Sequence, residues 1–148
     1  MPARLKSPRN VRAGCDGTYR SGVAGTRSLT SLPAFEDIGS EAELDAKLKT
    51  TNHPTLLDFY ADWCASCKEM ERDTFSNPAV AARMARMQLL RVDVTDYNDS
   101  HKALLRRFGF VGPPGIVFFG ADGQLRDGFR VTGFMSADEF SVLLDRAL

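Results

Sequence analysis

The sequence predicts an α/β domain in which a central mixed β-sheet carries helices on both faces. Three observations predict it. Strand-like apolar runs alternate with helical patterns in the order β-α-β-α-β-α-β-β-α, and such alternation builds strands joined by helical crossovers. The run Thr55 to Ala61 is nearly all apolar, the pattern of a central strand buried on both faces. Near the C-terminus two strands are separated by the turn Ala121-Asp122-Gly123-Gln124, which closes an antiparallel hairpin and makes the sheet mixed.

The elements follow in order. Phe35 to Ile38 reads as a short edge strand. Ser40-Glu41-Ala42-Glu43 has the form of a capping box, with Glu43 reaching back to Ser40, and opens a helix to about Thr50 with Leu44 and Leu48 on its apolar side. Asn52-His53-Pro54 ends it, leaving His53 in a solvated loop. After the strand Thr55–Ala61, a helix runs from the cysteines through Met70 to about Thr74. Asn77-Pro78 restarts a helix, with Pro78 in its first turn, and Ala79 to Met87 continue it. Gln88 to Val94 is the next strand. Thr95 to Asn98 is a polar turn, and Asp99 or Ser100 caps a helix to about Phe108, with His101 in its first turn. A loop, Gly109 to Gly115, precedes the strand Ile116–Phe119. Phe129 to Thr132 is its hairpin partner. Ser136 and Glu139 make a second capping box for a final helix whose apolar face is Phe140, Leu143, Leu144 and Ala147.

The chain has 148 residues, 43% of them hydrophobic, which suits one domain with room for a tail. Its formal net charge is zero, so bulk electrostatics favour neither nucleic acid nor acidic substrates. The charge is uneven. Residues 1–30 hold Arg4, Lys6, Arg9, Arg12, Arg20 and Arg27 against Asp16, a net of +5. Residues 1–31 show no helical or strand period and are expected to be a disordered tail, a linker or expression sequence; a transit peptide or membrane-surface patch is the alternative. The folded domain is expected over 32–148. No apolar run approaches the roughly 20 residues of a membrane span, and no secretory h-region is visible in Met1 to Leu32.

Cys64 and Cys67 stand three apart where a strand gives way to a helix. Two cysteines there can close a small disulfide ring or open to a dithiol, and the unpaired N–H groups of a helix start favour the thiolate, the reactive form. On spacing alone the pair is a redox couple, a structural bridge or half of a zinc site. Zinc needs about four ligands, and only Cys15 and the scattered His53 and His101 remain, so no metal is expected. A ring this small constrains the unfolded chain little, which argues against a purely structural bridge. Asp58 interrupts the apolar strand. A carboxylate there is unfavourable unless paired or protonated; it is either a residue turned to solvent or paired locally, or part of the site.

The words Tyr60-Ala61-Asp62-Trp63-Cys64, Cys67-Lys68-Glu69-Met70-Glu71, Thr74-Phe75-Ser76, Asp93-Val94-Thr95 and Val131-Thr132-Gly133-Phe134, with Gly112-Pro113-Pro114 before a strand, resemble the thioredoxin superfamily. Within it they resemble the C-terminal periplasmic domain of the DsbD family of transmembrane thiol:disulfide interchange reductases. The resemblance covers roughly 32–148. It implies a thioredoxin-like fold and a protein-disulfide reductase module on the periplasmic side of the bacterial inner membrane. A membrane-embedded domain would donate electrons, and an N-terminal periplasmic domain would accept them for isomerases and cytochrome c maturation. It implies that Cys64 is the exposed nucleophile, that Cys67 resolves the mixed disulfide, and that Asp58 is the buried acid beneath the pair. Glu71 would be a second acid, and Pro114 a cis-proline opposite the disulfide. Trp63, Ala65, Ser66 and Pro113 would meet the partner. No dissociable cofactor is implied beyond the Cys64–Cys67 disulfide, and a monomer is expected. Ala65-Ser66 replaces the Gly-Pro of thioredoxin, Pro113 has no N–H to offer a partner, and Gly115 stands where thioredoxin has Thr.

A free-standing thioredoxin-like reductase and a redox-silent docking module are the alternatives; the cysteine pair, Asp58 and Pro114 together argue against the silent module. The two acids are also expected to restrain Cys64. An ionised carboxylate at about 6 Å, with an effective dielectric near 20, opposes a thiolate by about 3 kcal/mol, more than the roughly 0.3–2 kcal/mol a helix terminus supplies.

Overall fold

The computed structural model describes residues 32–148. The expectations for the basic segment 1–31, Cys15 among them, lie outside the described residues. Five strands, β1 (Glu36–Asp37), β2 (Thr55–Tyr60), β3 (Gln88–Asp93), β4 (Gly115–Phe119) and β5 (Val131–Thr132), form one sheet in the order β1-β3-β2-β4-β5. β2 pairs parallel with β3 and antiparallel with β4, β1 runs parallel to β3, and β5 closes the other edge antiparallel. The sheet is mixed, as the hairpin requires.

Because side chains alternate along a strand, β2 feeds two cores. Leu57 and Phe59 point to the face covered by α1 (Glu41–Thr50) and α4 (Asp99–Arg107), where they meet Leu44, Leu48, Leu104 and Leu105. Leu56 points to the face covered by α3 (Pro78–Met84) and α5 (Ala137–Ala147), with Val80, Met84, Phe140 and Leu144. Aromatic rings fill both cores. Phe59 packs on Phe110 at 5.4 Å between centroids and on Phe108 at 6.1 Å. On the opposite face Phe75 lies 5.6 Å from Phe140 and 5.7 Å from Phe35. Each fully buried Phe or Leu contributes about 1.5–3 kcal/mol relative to exposure.

The helix starts obey their caps. Ser136 accepts from the Glu139 N–H and Glu139 from the Ser136 N–H, a complete capping box. Ser40 accepts from the Glu43 N–H, but Glu43 reaches one residue further back than expected, to the Gly39 N–H. For α4 the cap is Asn98, whose Oδ1 accepts from the His101 N–H at 2.9 Å, and neither Asp99 nor Ser100. Asn98 holds extended backbone while Asp99 is already helical; an Asx side chain satisfies an N3 donor as well as a serine does. α3 ends at Met84 rather than Met87, β4 starts one residue earlier than expected, at Gly115, and its partner β5 is limited to Val131–Thr132, shorter than the expected Phe129–Thr132.

The helix after the cysteines differs most. A single α-helix is expected to about Thr74; instead α2 (Ala65–Glu69) widens into a π-turn over Met70–Phe75. Tertiary contacts account for the widening. Thr74 donates to the Met135 carbonyl at 2.6 Å, the Met135 N–H meets Met70 Sδ at 3.2 Å, and Phe75 is locked among Phe35 and Phe140. π-turns occur mostly as single insertions and often at functional sites; this one faces Glu71 toward β3.

Candidate active site

The end of β2 delivers the chain to the cysteines through a tight turn, in which the Cys64 N–H donates to the Ala61 carbonyl at 3.0 Å. The loop after β3 clamps this turn. Asp62 N–H donates to Thr95 Oγ1 at 3.0 Å, Trp63 Nε1 donates to the Thr95 carbonyl at 3.2 Å, and Val94 N–H donates to the Tyr60 carbonyl at 2.7 Å. Cys64 is the N-cap of α2, in extended backbone, and its Sγ accepts from the Cys67 N–H at 3.2 Å. A hydrogen bond from a helix N–H favours sulfur as thiolate over thiol.

Cys64 and Cys67 are joined as a disulfide, with Cα atoms 5.3 Å apart. Cys67 Sγ lies 3.8 Å from the Phe59 carbonyl oxygen. The expectation that Cys64 is exposed needs correction. Its residue is 6% accessible against 5% for Cys67, so exposure does not tell the two sulfurs apart. Position does: Cys64 caps the helix beside exposed Trp63, and Cys67 lies one turn in, against β2.

The rim is apolar and open. Trp63 and Val111 are 58% and 94% accessible. With Tyr97, Gly112 and Pro113 they line a groove of about 510 Å³. The Tyr97 hydroxyl donates to the Val111 carbonyl at 3.0 Å and ties the two sides of the groove together. Ala65 is exposed and Ser66 half-buried on the first turn of α2. The Pro113–Pro114 bond is cis, as the family resemblance implies. Gly115, next in line, pairs with Phe59 at the end of β2, which brings the proline loop to the end of the sheet from which the cysteines emerge. A Cβ on Gly115 would stand 2.9 Å from the Phe110 ring. The glycine at this position is therefore required by the aromatic packed over it.

Asp58 is buried, and it is paired rather than turned to solvent. Arg91 Nε donates to its Oδ2 at 3.0 Å, and Arg91 Nη2 lies 2.8 Å from the same oxygen. Arg91 Nη1 donates to Glu71 Oε1 at 2.7 Å. One guanidinium thus holds both acids, itself sandwiched 4.3 Å from the Phe35 ring centroid and 4.5 Å from that of Tyr60. Burial pushes the Asp58 carboxyl up to about 6; Arg91 opposes the rise and Glu71 adds to it. Burial would lower the proton affinity of Arg91, but Asp58 and Glu71 more than offset that and hold it above its ordinary value.

This changes the charge count behind the expected restraint on Cys64. The two carboxylates do not act as a bare pair, because a cation lies between them. Sequence reasoning missed Arg91. A signal was present, since an arginine interrupts the apolar strand Gln88–Val94 as Asp58 interrupts Thr55–Ala61, and two opposite charges in neighbouring buried strands are candidates for pairing. Among the described residues no cluster of three or more His, Cys, Asp or Glu is placed to hold a metal ion.

A thioredoxin-like domain family model matches residues 42–148. The chain is 43% identical over 117 residues to the thiol:disulfide interchange protein DsbD of Pectobacterium atrosepticum, covering 79% of this chain and 20% of that protein. It is 45% identical over 117 residues to DsbD of Ralstonia nicotianae, covering 77% and 19%. The chain therefore spans about a fifth of the length of these curated relatives. Among solved structures, the oxidised DsbD C-terminal domain of Neisseria meningitidis superposes with a TM-score of 0.64 at 34% identity, covering 76% of this chain and all of that one.

Proposed function

We propose, from the premise that this chain belongs to the thioredoxin-like domain family and within it to the DsbD C-terminal domains, that it is a protein-disulfide reductase module whose Cys64–Cys67 couple is itself the redox group. The observation that carries the reading is the disulfide at the start of α2, seated against β2 and beside an exposed apolar groove.

The chemistry needs no other reactant than a partner disulfide. In the reduced domain the Cys64 thiolate attacks one partner sulfur, and the partner's S–S bond breaks as its second sulfur leaves as thiolate. A mixed disulfide now joins Cys64 to the partner. The Cys67 thiolate then attacks Cys64 Sγ, the Cys64–Cys67 bond forms, and the partner leaves as a dithiol. Two electrons have passed from this domain to the partner, and the reverse sequence with a dithiol donor reloads it. The Cys67 N–H steadies charge on Cys64 Sγ. Asp58, with its carboxyl pushed up to about 6 by burial, is suited to take and return the Cys67 proton. The groove formed by Trp63, Tyr97, Val111 and Pro113 receives the partner chain, with the Pro113 carbonyl as its polar contact.

In this reading a membrane-embedded domain is the electron donor and an N-terminal periplasmic domain the acceptor, so the module works on the periplasmic face of the inner membrane as a monomer. No helix among the described residues is long and apolar enough to cross a membrane, which suits a domain appended to a membrane protein. The test is insulin reduction with dithiothreitol as donor: wild type is expected to accelerate it and Cys64→Ser to be inert. No acceleration by wild type would overturn the reading.

A further inference from the structure

Arg91 is a largely enclosed, half-buried cation at the site, and the exchange chemistry above leaves it without a role. Three features set it apart from a surface ion pair. It engages two carboxylates from separate elements, Asp58 on β2 and Glu71 on the π-turn. Its side chain is only 14% accessible. Its guanidinium is held between the Phe35 and Tyr60 rings. A planar, permanently charged fork suits such a position, and a lysine would not reproduce the two-sided contact. A cleft of about 210 Å³ lined by Phe35, Asp37, Glu71 and Arg91 gives the outer side of the cluster contact with solvent.

We propose that Arg91 is a positioning residue for disulfide exchange, a half-buried clamp that holds Asp58 and Glu71 beside α2 and reduces the negative charge the couple meets as a dithiol. The inference rests on the reading of Cys64 and Cys67 as the exchanging pair. The reasoning is electrostatic. Two carboxylates near a developing thiolate oppose it, and in a low-dielectric setting the opposition is large. One guanidinium bound to both cancels much of their field at the sulfur and keeps Glu71 anchored to β3, which fixes the π-turn that follows α2. Other charged groups around the site are Asp37 on β1, Asp93 at the end of β3, Asp62 before Trp63, Lys68 and Glu69 on α2, and Arg72 and Asp73, paired with each other, on the π-turn. All of these are exposed and none is ion-paired to Arg91, so solvent screens them more than it screens the clamp.

The experiment is the alkylation rate of reduced protein by iodoacetamide against pH, for the full chain with Cys15→Ser in every variant. Arg91→Gln is expected to move the Cys64 titration upward by about one pH unit, a roughly tenfold loss of thiolate near neutrality, and Arg91→Lys, which keeps the charge but not the fork that reaches both acids, to restore only part of it. A purely structural arginine would lower the Tm of both variants without moving the titration, and that result overturns the proposal. Should Arg91→Gln fail to fold because Asp58 is left unpaired, Asp58→Asn is compared with Asp58→Asn/Arg91→Gln. Glu71 still faces Arg91 there, so an upward shift is again expected and an unchanged titration overturns the clamp. Alkylation needs no protein partner. A wild type that fails to reduce insulin would therefore overturn the proposed function, while the clamp is read from the titration.

Discussion

Arg91 stands in register with Asp58 across the parallel β2–β3 pair, and its Nε donates to Asp58 Oδ2 at 3.0 Å. Registered residues of neighbouring strands share a face of the sheet, so the pairing follows from strand order. Asp58 nevertheless keeps a proton more readily than an ordinary aspartate, because burial outweighs the arginine.

That shift makes stability depend on pH with a definite sign. The folded carboxyl titrates at about 6 against an ordinary 3.8, so the folded state binds the proton more tightly than the unfolded chain. The contribution of Asp58 is fully favourable below about pH 4 and is lost as pH rises toward and through about 6, by a total near 3 kcal/mol. Other carboxylates, such as Asp45, lean the opposite way, so the difference between variants is the quantity to read. Asp58→Asn should gain on wild type by roughly 2–2.5 kcal/mol between pH 4 and pH 7 in urea unfolding of the oxidised protein. A constant difference across that range would show that Asp58 ionises normally.

Cys67→Ser should trap mixed disulfides through Cys64, visible as partner-sized adducts that dithiothreitol releases. Cys64→Ser should trap nothing and abolish exchange, and Cys15→Ser should leave exchange intact. Loss of exchange on replacing Cys15 would reassign the couple.

Gly115→Ala should destabilise the protein by about 1–3 kcal/mol, the usual range for overpacking a filled core, since the new methyl meets the Phe110 ring at 2.9 Å. Phe110→Leu in the same chain should recover part of the loss. Chemical denaturation of the single and double variants checks it, and additive losses would show that the two residues do not compete for space.

Trp63→Ala and Val111→Lys should slow reduction of a protein disulfide by roughly tenfold, about 1.4 kcal/mol, a typical loss for an apolar interface residue. Both side chains are largely exposed, so the reaction of Cys64 with iodoacetamide should change far less. Equal slowing of both reactions would place the effect in the thiol and not in docking.

The parts of this protein legible in its sequence are those encoded locally. The buried strand Thr55–Tyr60, the caps at Ser40 and Ser136, and the cysteine pair at a strand–helix junction each lie within one short segment. Where the reading slipped, the cause was either a shift of one residue at a helix end or a contact from far along the chain. Asn98 rather than Asp99 caps α4 by a shift of one residue, the usual uncertainty of helix ends. The π-turn at Met70–Phe75 depends on Met135, more than sixty residues away, and no periodicity in the segment itself reports it.

The sequence by itself determined the order of elements, the redox couple and the family, because spacing, apolar period and turn chemistry are properties of adjacent residues. It also showed that a carboxylate, Asp58, interrupts a buried strand, while the guanidinium of Arg91 in the neighbouring strand was missed. Only the tertiary structure decided that they are partners, that Glu71 joins them, and that Cys64 is almost as buried as Cys67. Those outcomes depend on which strands lie side by side and on how the sheet register aligns them. A buried charge must find its counter-charge wherever the fold provides one, and that partner is set in space and not in sequence.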